Sequence, residues 1–243
     1  MISELIESAS FEDWSRACER RAAKPGVWPV LLEGTWESDV VPAPGSTERI
    51  AEYDAGELLA EWWRQHALPE LVAEGEEEEG EEDEESRRER LGVIAPFGDE
   101  WPGLAPGIEP TQDPDEAANE LGDVLLSVKD DVHLGLIEAR SGAEALVVLS
   151  WGGATNYCST PEIAAVVASW EKRFGVRLVY LEYDVLRLSV AAPPTTLDEA
   201  LLIAAEHFAF CPDNVWQGEV DVRSIQDYAE KLVGQESWIF WWD

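Results

Sequence analysis

Apolar residues recur three and four apart in several stretches and alternate in others, and these two periods divide the chain into elements. The clearest helical stripe is Leu197, Leu201, Ala204, Ala205 and Phe208. It opens at Thr196, which forms a capping box with Glu199, and it stops at Pro212, which has no N–H to offer a further turn. A second row, Ile203, His207 and Phe210 or Cys211, runs beside it, so the pattern predicts a buried helix that anchors the C-terminal half. Upstream, Ser10 predicts a helix with Phe11, Trp14 and Cys18 on one face, and Asp54 with Glu57 predicts another through about His66. Asp113-Pro114 opens a third, striped by Ala117, Leu121, Leu125 and Val128. Ser141 with Glu144 boxes a short helix ending near Trp151-Gly152. Thr160-Pro161 starts a longer one through Phe174, with Gly175 at its C-cap.

Strands are predicted at Val27–Leu32, where Pro29 suggests a sheet edge, and at Leu91–Ala95 and His133–Ala139. Two more follow at Val176–Tyr183 and Val185–Ala191, the second alternating cleanly between apolar and polar faces. A helix from Ser224 and a last strand, Trp238–Trp242, complete the chain. The succession predicts an α+β fold: a mostly antiparallel sheet with helices packed on one face, and a βαββαβ, ferredoxin-like C-terminal half with extra helices. The expected division is an N-terminal α/β segment (1–73), a charged linker (74–90) and a C-terminal α+β domain (91–243).

The blocks SWEKRFG, LSVAAPP, AEHFAFCPDNVWQG and the terminal SWIFWWD lie in this order in the C-terminal half. With them, residues 130–243 resemble an uncharacterised bacterial family, a domain of unknown function frequent in high-GC soil bacteria. The resemblance supports the fold and implies no activity.

Composition narrows the function classes. The 243 residues carry 51 acids against 17 Lys and Arg, a formal charge of −34, together with 12 Trp. Such an excess of negative charge argues against binding nucleic-acid phosphates, which needs clustered Lys and Arg, and against docking on an anionic lipid surface. Glu74–Glu85 alone holds ten acids and no base, and reads as a solvated linker. The remainder is strongly acidic too. Its surface is expected to serve solubility, and as a working surface it complements a basic protein. The apolar run Ala145–Leu149 is far too short to cross a membrane. Three dispersed cysteines without a CxxC or a leader-like start point to the cytoplasm.

Chemistry-bearing motifs are scarce. Phosphate-binding glycine loops, GxSxG, HExxH and calcium-loop patterns are absent from the sequence, so neither a cofactor nor a metal is expected. Gly152-Gly153 after Trp151 is too short a signal to carry a reading. One constellation gathers His207, Cys211, Asp213, Asn214 and Trp216. It could hold a nucleophilic thiolate beside a histidine, but Cys211 falls at a helix C-terminus, where the dipole opposes a negative sulfur. These residues read first as core and turn formers. Trp238, Trp241 and Trp242 add a candidate recognition strip. The expectation is a non-catalytic cytoplasmic binding protein, of the immunity or antitoxin type, that covers a basic protein. The alternative is an enzyme with its site around His207, Cys211 and Asp213.

Overall fold

The computed structural model describes residues 1–36, 46–67, 84–218 and 220–243. In chain order its strands are β1 (Ile2–Ile6), β2 (Trp28–Leu32), β3 (His133–Ile137), β4 (Val176–Leu181), β5 (Val185–Val190) and β6 (Ser237–Trp241). The first helices are α1 (Phe11–Ala23), α2 (Ala55–Ala67), α3 (Glu84–Val93) and α4 (Pro114–Val128). Then come α5 (Gly142–Val148), α6 (Thr160–Phe174), α7 (Leu197–Phe210), α8 (Asp213–Trp216) and α9 (Ile225–Leu232). They form two compact units that interleave along the chain, one from residues 1–55, 107–193 and 235–243, the other from 56–106 and 194–234.

The first unit is built on a six-stranded sheet in the order β1-β3-β2-β4-β5-β6. All neighbours run antiparallel except β2 and β4, which are parallel at Leu31↔Tyr180 and Leu32↔Leu181. The mixed helix–strand class and the mostly antiparallel sheet are as the sequence predicts. The helices, however, cover both faces. Side chains alternate across each strand, so Leu31, Leu134, Leu136 and Tyr180 meet Trp14 of α1 with Leu121 and Leu125 of α4. On the opposite face, Trp238 and Phe240 pack on Trp170 of α6, with ring centroids at 5.6 and 5.3 Å. The predicted βαββαβ succession is present, yet β6 pairs with β5 rather than with β3, and β2 from the N-terminal segment stands between β3 and β4, so a ferredoxin-like strand order does not form.

That insertion also corrects the edge position expected of Pro29. Strand β2 pairs with β4 only at Leu31 and Leu32, so the proline's missing N–H interrupts no bond on that side. The indole N–H of Trp28 donates instead to the Leu178 carbonyl of β4 (3.0 Å). Strand β1, which the apolar pattern does not announce, pairs along β3.

The second unit is organised around α7, whose capping box at Thr196 and Glu199 is formed as predicted. Ile203, Ala204, Ala205 and Phe208 of this helix are fully buried. Trp63 of α2, also fully buried, meets Phe208 edge-on at 5.7 Å. The carboxylate of Glu206, buried within the unit, accepts the Ala105 N–H at 2.7 Å. Of the predicted linker, residues 84–90 begin helix α3, and 74–83 lie outside the described residues. The strand expected at Leu91–Ala95 is instead the end of that helix and a turn. Glu84 and Glu85 in its first turn and Arg90 in its last complement the helix dipole, which favours helix over strand. Arg90 then donates to the Ala67 carbonyl and to Asp99 (2.7 Å).

Candidate functional site

Three strands of the sheet, β2, β4 and β6, run in the same direction and end at the same edge. Glu33 follows β2 directly, Glu182, Tyr183 and Asp184 connect β4 to β5, and Trp242 and Asp243 follow β6. The loop after α5 contributes Trp151 to Asn156. Together these segments enclose an open cleft of about 1010 Å³. Carboxyl ends of neighbouring strands are where sheets with helices on both faces leave room for ligands, because the chain must turn away there to re-enter a helix or hairpin.

The cleft walls are held from within. Trp36 donates its indole N–H to the Glu33 carbonyl (2.9 Å), and Trp151 donates its own to the Glu182 carbonyl (2.8 Å). The Trp151 carbonyl accepts the Thr160 hydroxyl (2.8 Å), and its ring meets Trp242 edge-on at 5.5 Å. Gly153 is required here, since a Cβ would fall 2.2 Å from the Trp151 ring. The β4–β5 hairpin is closed by Glu182 N–H donating to Val185 O (2.9 Å), which leaves Tyr183 at 86% exposure on the rim. Asp184 accepts the Trp241 indole N–H at 3.1 Å.

Beneath the cleft, Lys129 donates to Glu33 Oε2 (2.6 Å) and to the Tyr180 oxygen (2.7 Å). The single phenolic proton of Tyr180 stands between Glu33 Oε2 and, at 3.0 Å, Glu182 Oε2. The Lys129 hydrogen bond, seconded by Tyr180, holds the Glu33 carboxyl below its usual range. Burial and the two adjacent carboxylates push the Tyr180 phenol well above its own. Four carboxylates, Glu33, Glu182, Asp184 and Asp243, line the cleft with aromatic rings between them. None of the described side chains lining it is Lys, Arg or His.

The residues singled out from sequence divide between the two units. In the second unit, His207 and Cys211 have 0% exposure. His207 Nδ1 and the Asn214 amide both meet the Tyr228 hydroxyl at 3.1 Å, and the Cys211 thiol lies 3.5 Å from Asn214 Oδ1. Asp213 is buried in α8, a one-turn helix where a turn was expected, and accepts from Gln217 at 3.2 Å. Trp216, 51% exposed, lies edge-on to Phe208 and to His66. At His66, in the last turn of α2, burial outweighs the attraction of Asp213 and lowers the pKa to about 4. In the first unit, Trp238 is buried against Trp170 and Phe174, Trp241 holds Asp184, and Trp242 forms part of the cleft.

Sequence reading thus reached the cleft through Trp241 and Trp242 and missed Glu33, Trp36, Glu182, Tyr183 and Asp184. Glu33 and Glu182 follow their strands at once and the others lie within four residues of a strand end, which is the one local signal that could have marked them. Among the described residues, no group of three or more His, Cys, Asp or Glu could hold a metal ion, and no helix is long and apolar enough to cross a membrane.

A family model described as "Domain of unknown function (DUF4253)" matches residues 133–243, in keeping with the resemblance drawn from the sequence blocks. The matched stretch contributes the Trp151 loop, the β4–β5 hairpin and the C-terminal tryptophans, whereas Glu33 and Trp36 lie outside it. No curated protein and no solved structure gave a significant match.

Proposed function

We propose that this chain is a non-catalytic cytoplasmic binding protein whose working surface is the acidic, aromatic cleft at the carboxyl edge of the sheet, and whose partner is a basic protein. The observation that carries the reading is the cleft itself: four carboxylates with no cation among the described lining side chains, set among tryptophans whose rings are already locked in place. A preorganised site of this kind binds positive charge at little ordering cost. The formal charge of −34 adds long-range attraction that speeds encounter with such a partner. An inhibitor of the immunity or antitoxin type, covering a basic toxin, is the form of binding protein that fits both features.

The alternative, an enzyme centred on His207, Cys211 and Asp213, draws less support. The imidazole and thiol are enclosed and bond to Tyr228 and Asn214, an arrangement that serves packing.

Affinity capture from a lysate of the source organism tests the proposal, run in parallel with wild type and a Glu182→Gln/Asp184→Asn variant. The expected result is a basic protein retained by wild type at low salt, and retained less both by the variant and at physiological salt. Equal retention by the two proteins would remove the cleft from the account.

A further inference from the structure

Four carboxylates line the cleft and no described side chain lining it is cationic, and this imbalance of charge specifies a ligand. Both indole N–H groups of Trp36 and Trp151 are spent on the carbonyls of Glu33 and Glu182. Trp151 is 3% exposed and serves as a wall, so what the cleft offers a guest is the π surface of the partly exposed Trp36 and of the exposed Tyr183 rather than an indole hydrogen bond. Beneath them, one phenolic proton is set between two glutamates. If Tyr180 donates to Glu33, the Glu182 oxygen 3.0 Å away faces a phenol lone pair and lacks that proton. Lys129 directs its ammonium to Glu33 and to the phenol oxygen. Glu182 and Asp184, two residues apart on the hairpin, thus present carboxylate oxygens to the cleft with fewer donors than they can accept.

A guest that completes this site must be cationic, must carry several N–H donors in one plane, and must tolerate a ring against its face. An ammonium meets the first condition only, as a compact and strongly hydrated charge. A guanidinium meets all three, since its fork matches carboxylates and its plane stacks on aromatic rings. The same unit already uses that pairing elsewhere. Arg21 lies over the Trp28 ring, 3.8 Å from its centroid, while donating to Asp115 at 2.9 Å.

Resting on the acidic-cleft reading, we infer that the cleft recognises a guanidinium, the side chain of an arginine projecting from the basic partner. Glu182 and Asp184 accept its N–H groups and the partly exposed Trp36 ring lies against its plane. The cleft's volume of about 1010 Å³ admits the side chain together with the backbone that carries it. Tyr183 on the rim is exposed to meet that flanking segment.

Calorimetric titration of the full chain with three capped tripeptides, identical except for a central arginine, lysine or citrulline, decides the matter. The arginine peptide is expected to bind, the lysine peptide at least fivefold more weakly, and the uncharged citrulline peptide not at all. Glu182→Gln should weaken the arginine peptide about tenfold with an unchanged melting temperature. Asp184→Asn serves as a second variant should Glu182→Gln fold poorly. Equal binding of arginine and lysine peptides would overturn the guanidinium assignment while leaving a cation-binding cleft in place. Binding of citrulline as tight as arginine, or no binding by either cationic peptide, would overturn the inference; the latter result with equal capture by wild type and the double variant removes the cleft reading as well.

Discussion

Two partly buried ionisable side chains respond to pH in opposite senses. Glu171 of α6 accepts the N–H of Gly142 at 2.8 Å and so caps α5, but burial raises its pKa from 4.5 to about 7, against the pull of Arg177. The native protein therefore holds this proton where the unfolded chain has released it. Its contribution to stability is complete below about pH 4.5 and is lost as pH rises through about 7. In Glu171→Gln that slope should vanish, so the stability of wild type relative to the variant falls by up to ~3 kcal/mol across the window, read from urea melts at several pH values. His66 behaves oppositely. Its pKa, lowered from 6.5 to about 4, means that stability is present above 6.5 and lost as pH falls through 4, and His66→Gln should flatten that acid limb in the same melts. Phe208, which is fully buried, packs against Trp63 and Trp216. Phe208→Ala should cost ~3–5 kcal/mol by denaturant unfolding.

At the scale of elements, the close approach of α1 and α4 rests on a glycine. A Cβ at Gly122 would fall 2.1 Å from the Trp14 indole, whose N–H donates to the Asn119 carbonyl at 3.1 Å. Gly122→Ala therefore forces the helices apart, even though alanine is the better helix former. A loss of ~1–3 kcal/mol is expected, with reduced near-ultraviolet dichroism from Trp14. Helix α7 was legible in advance because its start, its stripe and its stop are all local: Thr196 and Glu199 cap it, apolar residues recur at its period, and Pro212 ends it. Helix α3 was not, because its support comes from the order of charges along Glu84 to Arg90 and from contacts of Arg90 to Ala67 and Asp99. Strand β1 was missed for a related reason, as only one of its five residues is buried and no clean alternation marks it.

Across the whole molecule, a formal charge of −34 makes self-repulsion a standing cost of the folded state. Screening lowers that cost, so the melting temperature should rise by a few degrees between about 10 mM and 0.5 M NaCl, measured by calorimetry. Partner binding through the cleft should weaken over the same range, which separates the effect of salt on folding from its effect on recognition. Stability and binding are then expected to move in opposite directions with a single variable.

By itself, the sequence determined which stretches are helix or strand wherever the cause is local: caps, prolines and the period of apolar residues act within a few positions. It also determined the net acidity of the chain. Tertiary structure alone decided the sheet order and, with it, the site. Glu33 and Glu182 are 149 positions apart, and they converge on one phenol only because β2 inserts beside β4 and runs parallel to it. Pairing partners are chosen by the packing of whole faces, and no residue carries that choice in its near neighbours.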